Sequence, residues 1–322
     1  MMNKVIILRV GSNFYDKPGA LYPLDIEDGG YKTEVYFDKN TFEKLIVAAK
    51  DYGFDTVMLN LGEGIVYDSH PEIAIKGSMP KAEFKTYLNK IRELGMKVAP
   101  MLDFSALRNA WTGEYCTTAG SLWYKDFCCD ILTEVLELFE NPEFCHLGFE
   151  SEIMEKQENQ AIMTRRNQEI LRRDMRALFD ICDKFGTRPW IWIDQHSIEF
   201  IGGRAADKED VFKSFIPKNT ILSYLYFPPI YPHYVEQGRV KEEMKICDKI
   251  CSWGYDVFPM CSTWFRQESS RDMINYHVKC VGLKSVKGWV CNPNAFTVDS
   301  KYYWILNDMF RFADAQKEFF NI

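Results

Sequence analysis

The chain lacks the features that mark disulfide-rich secreted proteins and membrane proteins. Its ten cysteines include no CxxC pair, and they lie in apolar strand-like or helix-like runs, as Cys145 and Cys261 do. This distribution is typical of buried thiols in a reducing compartment. No apolar stretch approaches the roughly 18 residues that span a membrane, and the opening apolar run reaches Arg9 too soon for a signal peptide. We therefore expect a cytoplasmic protein with no membrane partner.

The chain also lacks the motifs of nucleic-acid, metal and cofactor binding. Its formal net charge is -7, so the nucleic-acid backbone is an unfavourable partner. The five histidines are scattered without an HxH or HExxH motif, and there is no GxGxxG fingerprint, P-loop or GxSxG elbow. We therefore predict no metal, no cofactor and no nucleic-acid partner, and the sequence leaves the oligomeric state open.

One pattern that is present recurs four times along the chain. An amphipathic helix ends at a glycine and a short apolar strand follows, at Gly53, Gly95, Gly186 and Gly254. Glycine after a helix adopts the left-handed conformation that ends the helix without a Cβ clash. Repeated units of this kind predict a parallel sheet whose strands are covered on both faces.

Eight strand candidates predict a closed (β/α)8 barrel, an α/β fold, as a single domain over residues 1–322. Long loops are expected after strands 1 and 2. A doubly wound open sheet is the competing fold, and the missing glycine-rich fingerprint after the first strand disfavours it. The strand candidates are 5–9, 56–61, 98–103, 144–150, 190–194, 221–227, 257–263 and 288–292.

Helices are predicted between these strands from apolar residues at helical spacing. Four strong stripes begin at Phe42, Phe84, Ile131 and Leu171. Weaker helices are expected near residues 208–215, 240–253, 271–281 and 302–319.

Acidic, amide and aromatic side chains stand where the predicted strands end. In a barrel these ends form the functional face, so the side chains should converge there. Carboxyl pairs and stacking rings are the components of glycoside hydrolysis. The strand-end side chains are Arg9, Asn60, Glu63, Asp103, Glu150, Glu152, Asp194, His196, Tyr224, Tyr226, Thr263, Trp264, Trp289, Asn292 and Asn294.

Glu150 and Glu152 are the first candidates for catalytic carboxylates, with Asp194 or Asp103 assisting. If the fourth strand continues through them, both side chains point the same way and Ser151 points opposite. Two like charges held close raise the pKa of one, as a general acid requires. Alternatively Ser151 and Glu152 already belong to a loop, and the pair is lost.

Three passages resemble the catalytic barrel of family-20 glycoside hydrolases, the β-N-acetylhexosaminidases. They are YDSHPE at 67–72, ELGMKVAPMLD at 93–103 and HLGFE at 146–150. The resemblance runs from about residue 42 to 152 and continues faintly to the end of the chain. It is closest to a divergent branch that consists of the barrel alone.

The resemblance implies a substrate-assisted mechanism, in which an Asp orients the 2-acetamido group of the sugar and the following Glu is the acid. Glu150 matches that Asp, but Ser151 stands where the acid Glu belongs. Glu152 would replace the acid only after a register shift, and Arg108 stands near the place of a family histidine. By position, Arg9 matches an arginine that holds sugar hydroxyls. Tyr226 matches a tyrosine that supports the acetamido oxygen of the sugar. The tryptophans that match the pocket walls are Trp192, Trp264 and Trp289. Asp103 and Asn292 are further candidate binding residues.

Three functions therefore remain open from the sequence. The first is hydrolysis of a small or terminal, N-acetylated sugar by Glu150, Glu152 and Asp194. The second is carbohydrate binding without hydrolysis, which Ser151 favours. The third is another barrel chemistry such as a lyase or aldolase, which would require a strand-end lysine or a metal cluster. The predicted ligand of the first two is a carbohydrate.

Overall fold

The chain folds into a parallel β-barrel surrounded by helices. A computed structural model describes residues 2–14, 30–150, 152, 163–203, 207–225, 246, 248–263 and 266–320. Nine strand segments lie in these ranges, and every pairing between neighbours is parallel. The strands are β1 (Asn3–Arg9), β2 (Thr56–Asn60), β3 (Lys97–Met101), β4 (Phe144–His146), β5 (Arg188–Trp192), β6 (Ile221–Ser223), β7 (Asp256–Val257), β8 (Met260–Cys261) and β9 (Gly288–Cys291).

Eight α-helices lie in the described ranges and cover the outside of the sheet. Short 3-10 turns occupy Gly62–Gly64, Pro71–Ile73, Ala110–Thr117 and Asp299–Lys301. The helices are α1 (Lys39–Asp51), α2 (Lys81–Glu93), α3 (Leu122–Leu138), α4 (Gln168–Lys184), α5 (Gln195–Gly202), α6 (Lys208–Phe215), α7 (Ser269–Tyr276) and α8 (Tyr302–Phe320).

The segments β7 and β8 are two halves of one strand, and that strand closes the barrel. Pro259, which has no N–H to donate, lies between them. On one side, the amide of Phe258 donates to the carbonyl oxygen of Leu222 within β6, and the amide of Met260 donates to that of Tyr224, just after β6. On the other side, the amide of Val290 in β9 donates to the carbonyl oxygen of Pro259. The nine segments therefore form eight strands in a closed ring. The closed barrel is confirmed and the open sheet is wrong.

Alternation along each strand divides the core into two layers. Every second residue points into the barrel, where Ile7, Met58, Met101 and Val290 belong to one apolar cluster. The intervening residues point outward and pack against the helices in a larger cluster. A side chain at the mouth therefore points inward if it lies an even number of residues from an interior residue on the same strand, and outward if the number is odd.

All eight predicted strands and the four strong helices are present, and α6 matches its predicted bounds. The fourth strand ends at His146, however, so the prediction that it continues through Glu150 is wrong. Residues 226–227 of the sixth strand candidate lie outside the described residues. The short helix α5, directly after β5, was not predicted. The nine cysteines in the described ranges are all free. Of the helices that the structure describes, none is both long and apolar enough to cross a membrane.

Candidate active site

A small pocket opens where the strands end, and its polar lining follows from the alternation in the barrel. Arg9, Asn60, Asp103 and Asn292 each lie two residues beyond an interior residue of their strand, so they also point inward. The sequence placed all four at strand ends. The pocket is lined by Ile7, Arg9, Phe14, Asn60, Met101, Asp103, Arg108, Asn292 and Asn294.

Arg9 is buried at the base of one wall and held in place by rings and an amide. Its guanidinium carbon lies 5.6 Å from the centre of the Phe14 ring and 5.4 Å from that of Phe296. One of its Nη atoms donates to Oδ1 of Asn294, a residue with a left-handed φ of 51°. Arg9, which the sequence predicts as a binding residue, lines the pocket.

Two carboxyl groups meet at Arg108 on the opposite wall. The Nε atom of Arg108 lies 3.8 Å from Oδ2 of Asp103 and forms a closer ion pair with Oε2 of Glu150. Asp103 is fully buried, whereas the Glu150 side chain is 18% exposed. The structure thus brings together two of the predicted carboxylates, from the ends of the third and fourth strands.

The proton affinity of Asp103 is set mainly by its burial. Burial raises the pKa of Asp103 to about 6, while the charge of Arg108 and a hydrogen bond from Ser105 oppose the rise. Its Oδ1 accepts hydrogen bonds from the backbone and hydroxyl of Ser105, at 3.1 and 2.5 Å. Neither its Oδ2 nor Oδ1 of Asn60 accepts a hydrogen bond from any described residue. The pocket therefore holds two buried acceptors suited to hydroxyl donors.

Gly148 supports Asp103 from behind and has no room for a side chain. Its φ is 80°, and a Cβ atom there would lie 2.1 Å from Oδ1 of Asp103. The next residue, Phe149, is also left-handed, with φ of 64°. These two residues turn the chain out of β4 and bring Glu150 towards Arg108.

Gly148→Ala should therefore disturb both the fold and the pocket. We expect a loss of unfolding free energy on the order of 2–4 kcal/mol, from backbone strain and the clash with Asp103. Gly186→Ala is the matched control, since Gly186 has φ of 66° but nothing within 4 Å of its Cβ position. Denaturant unfolding and ligand binding of both variants test this. Equal stability loss in the two, with normal binding, would contradict the role of Gly148.

Glu152 is placed away from Glu150 and held in a buried ion pair. It and Arg166 are each about 1% exposed, and Nε of Arg166 donates to Oε1 at 3.1 Å. Its Oε1 also accepts from the Ala106 amide at 2.8 Å, and Arg166 contacts Asp174 at 3.1 Å. These contacts occupy both oxygens, so the structure does not bring Glu152 into the pocket lining. Its predicted partnership with Glu150 is replaced by a structural pairing with Arg166.

Asp194 has a local structural role at the start of α5. Its Oδ1 accepts from the amide of Ser197 at 2.6 Å, and its own amide donates to Ser197 Oγ at 3.4 Å, so the two residues form a capping box. A capping carboxylate is held by its own helix, and Asp194 is not among the residues that line the pocket. The prediction of Asp194 as a catalytic group therefore gains no support from its position.

Three tryptophans are predicted as pocket walls, and two of them are described. One points into the barrel and the other points outward towards the helices. Trp192 points inward beneath the mouth, with its ring 4.2 Å from that of His146. Trp289 is one residue before the interior residue Val290, so it points outward, and its ring lies 5.2 Å from that of His277. Trp289 is therefore corrected from a pocket wall to a packing residue. Tyr226, Trp264 and Ser151 lie outside the described residues.

Four of the polar and aromatic pocket residues, Asn60, Asn294, Arg108 and Phe14, are not predicted as binding residues from the sequence. Asn60 and Asn294 stood among the strand-end side chains, and that position was the signal for them. Arg108 lies five residues beyond Asp103, and Phe14 lies in the loop after β1, where no local pattern predicts contact with the pocket. In the described part of the chain, no group of three His, Cys, Asp or Glu side chains has a metal-binding arrangement.

A buried carboxylate fixes the loop that carries Phe14. Oε1 of Glu63 accepts from the amides of Ser12 and Asn13, at 2.9 and 3.0 Å. Burial raises the pKa of Glu63 to about 7, although these backbone hydrogen bonds lower it in part. Glu63 thus ties the loop after β2 to the loop after β1 and positions Phe14 against Arg9.

The fold is similar to that of solved β-N-acetylhexosaminidases. No protein-family model and no curated protein matches the chain. An exo β-N-acetylglucosaminidase of family 20 from Vibrio harveyi, solved with N-acetylglucosamine, has a TM-score of 0.63 at 12% identity, over 98% of this chain and 54% of that one. A β-N-acetylhexosaminidase from Bacteroides fragilis has a TM-score of 0.61 at 13% identity, over 96% and 66%. Dispersin B has a TM-score of 0.60 at 12% identity, over 98% of both chains.

The chain has the fold of the family-20 catalytic barrel. The resemblance seen in the sequence passages is confirmed at that level, because it extends over nearly the whole chain. The chain spans about half to two thirds of the length of the Vibrio harveyi and Bacteroides fragilis enzymes.

Proposed function

We propose that the protein binds the terminal sugar of a carbohydrate in the mouth pocket and hydrolyses its glycosidic bond. One observation carries the proposal: Asp103 in the pocket lining and Glu150 next to it both approach the guanidinium of Arg108, which also lines the pocket. One carboxyl group is buried and the other is partly exposed. Two carboxyl groups in unlike surroundings can divide the roles of acid and charge stabiliser in glycoside hydrolysis.

In this proposal Asp103 is the acid. Its pKa of about 6 leaves a fraction protonated near neutral pH, and the proton can pass to the oxygen of the departing group. Glu150, paired with Arg108, supplies the negative charge that stabilises the positive charge developing on the sugar ring. A water molecule then adds to the anomeric carbon and gives its proton to the Asp103 carboxylate, which restores the acid. Arg108 keeps the two carboxyl groups next to each other. Glu152 and Asp194 have no part in the chemistry.

The rest of the pocket suits a small polar ring. Oδ1 of Asn60 can accept a hydrogen bond from a sugar hydroxyl. Arg9, Asn292 and Asn294, which also line the pocket, have N–H groups that suit sugar oxygens. An N-acetylated sugar is the proposed substrate class, supported by the fold likeness to an enzyme solved with N-acetylglucosamine.

Carbohydrate binding without hydrolysis is the second candidate. It is favoured by Ser151, which stands where the resembling family has its acid Glu. A Schiff-base lyase or aldolase gains no support, because no lysine is among the described residues that line the pocket.

A panel of 4-nitrophenyl glycosides, including N-acetylhexosaminides of both anomers, tests the proposal. Release of nitrophenol by the purified protein supports hydrolysis. Calorimetric binding of the matching free sugars without turnover supports the second candidate. Neither turnover nor binding across the panel would reject both.

The pH profile tests the role of Asp103 as the acid. Because the acid must carry its proton, kcat/KM should be high below about pH 6 and fall as pH rises through that value. Well above the pKa the decline should approach about tenfold per pH unit. The measurement is kcat/KM between pH 4.5 and 8.5 on the best aryl glycoside. A flat profile over this range would contradict the role assigned to Asp103.

A further inference from the structure

Exposed apolar side chains occur together on the outer side of two neighbouring helices, α1 and α8. Val47 of α1 is 48% exposed, and Tyr303 and Phe310 of α8 are 79% and 48% exposed. Leu306 of α8 and Tyr52, directly after α1, are half-buried beside them. Single exposed apolar residues are ordinary on a protein surface, whereas a contiguous group marks a contact. These five residues are called the α1–α8 face.

Two contacts place α1 and α8 side by side in the same direction. The Nζ atom of Lys44 lies 5.8 Å from the ring centre of Tyr302, and the ring centre of Tyr52 lies 6.3 Å from that of Phe310. The two contacts are eight residues apart on both segments, so each residue of α1 has a counterpart at the same level on α8. Val47, between Lys44 and Tyr52, therefore lies beside the exposed stripe of α8.

The face carries opposite charges at its two ends. Lys44 lies one turn before Val47 on α1 and Asp51 lies one turn after it, and both side chains are exposed. Neither side chain forms an ion pair with another residue of the described ranges. A positive end, an apolar centre and a negative end are complementary to the same surface turned end for end.

We propose that the α1–α8 face is the contact between two copies of this chain. The two-fold axis would lie in the contact and cross both helices near Val47 and Leu306. It would place Lys44 opposite Asp51 of the partner subunit, since the midpoint of these two residues lies next to Val47. It would also place Tyr303 opposite Phe310 of the partner subunit, since their midpoint lies next to Leu306.

The charges of α1 and the rings of α8 thus require the same axis, although they lie on different segments. Such agreement is what a closed symmetric pair needs, because every contact is made twice. The helices of the two copies would run antiparallel, so the two pockets would open towards opposite ends and stay accessible. The contact covers only about two turns of each helix, which is less than a permanent dimer buries. We therefore expect a reversible dimer with a Kd in the micromolar range.

Sedimentation velocity of the full chain at increasing concentration tests the dimer. The mass should rise from that of one chain to that of two. Tyr303→Glu and Phe310→Glu should each weaken the dimer by at least about 30-fold, because a carboxylate would be placed in an apolar contact twice over. Trp123→Glu is the matched control, since Trp123 is an equally exposed ring on α3 and should leave the Kd unchanged. Circular dichroism of each variant reports whether the chain remains folded.

A charge exchange tests the orientation of the two copies. Lys44→Asp and Asp51→Lys should each weaken the dimer by about 10-fold, because each puts two like-charge pairs into the contact. The double variant should return to within about 3-fold of the unaltered protein, since the pairs are restored with their signs reversed.

Three results would contradict the proposal. A single-chain mass at every concentration would overturn the dimer and leave the α1–α8 face to a different partner. A dimer unaffected by both glutamate variants would assign the contact to another surface. Loss of the dimer in the glutamate variants without recovery in the charge exchange would overturn the two-fold arrangement.

Discussion

Asp103→Asn is expected to lower hydrolysis by at least roughly 100-fold while the protein stays folded. Asparagine keeps the shape of the side chain and can still contact Ser105, but it has no acidic proton to give to the leaving oxygen. The fold should tolerate the change because burial already penalises the charged form of Asp103. The measurement is kcat/KM on the best aryl glycoside, with thermal unfolding followed in parallel.

Asp308→Asn is the control for this experiment. Asp308 is a second buried aspartate, on α8, and burial raises its pKa to about 8, although a hydrogen bond from the Thr263 amide opposes the rise. It does not line the pocket. Removing its charge should therefore leave kcat/KM unchanged and raise the unfolding temperature at pH 8.5 by a few degrees. Full activity in Asp103→Asn, or an equal loss in Asp308→Asn, would contradict the catalytic assignment.

Glu152→Gln is expected to destabilise the protein by about 3–5 kcal/mol. The substitution leaves the guanidinium of Arg166 buried without its main counter-charge, since Arg166 is about 1% exposed. The bonds from Ala106 and Arg166 to the carboxylate also tie the loop after β3 to the segment before α4. Chemical denaturation of the variant measures the loss.

Glu150→Gln is the paired control, since it makes the same chemical change two residues away. The Glu150 side chain is partly exposed, so its loss should change the unfolding free energy by about 1 kcal/mol or less. It should nevertheless abolish most of the hydrolysis, because the charge beside Arg108 is removed. Normal stability with lost activity in Glu152→Gln would return Glu152 to the catalytic pair.

The fold could be predicted because its signals are local and repeated. Gly53, Gly95, Gly186 and Gly254 all have the left-handed φ that ends a helix before a buried strand. The alternation of side chains along a strand could also have placed Trp289. It stands one residue before Val290 and three before Asn292, so its side chain must point in the opposite direction to theirs. A capping pattern could have identified Asp194, because Ser197 follows at the third position of α5.

The site could be predicted only where a side chain continues a strand. Arg9, Asp103 and Asn292 satisfy that condition and line the pocket. The pairing of Glu152 with Arg166 joins residues 14 positions apart in the sequence, so neither helical nor strand spacing reveals it. Arg108 likewise reaches the carboxylates from a loop whose path depends on packing around Asp103.

The buried carboxyl groups link the folded state to the surrounding acidity. Asp103, Glu63 and Asp308 have pKa values of about 6, 7 and 8, each above the value expected in an unfolded chain. Folding therefore takes up protons between about pH 4, where carboxyl groups titrate in an unfolded chain, and these folded-state values, and the stability contributed by these groups is lost as pH rises from about 4 to 8. Mildly acidic pH therefore stabilises the folded state through Asp103, Glu63 and Asp308, and it also keeps Asp103 in the protonated form that the proposed acid requires.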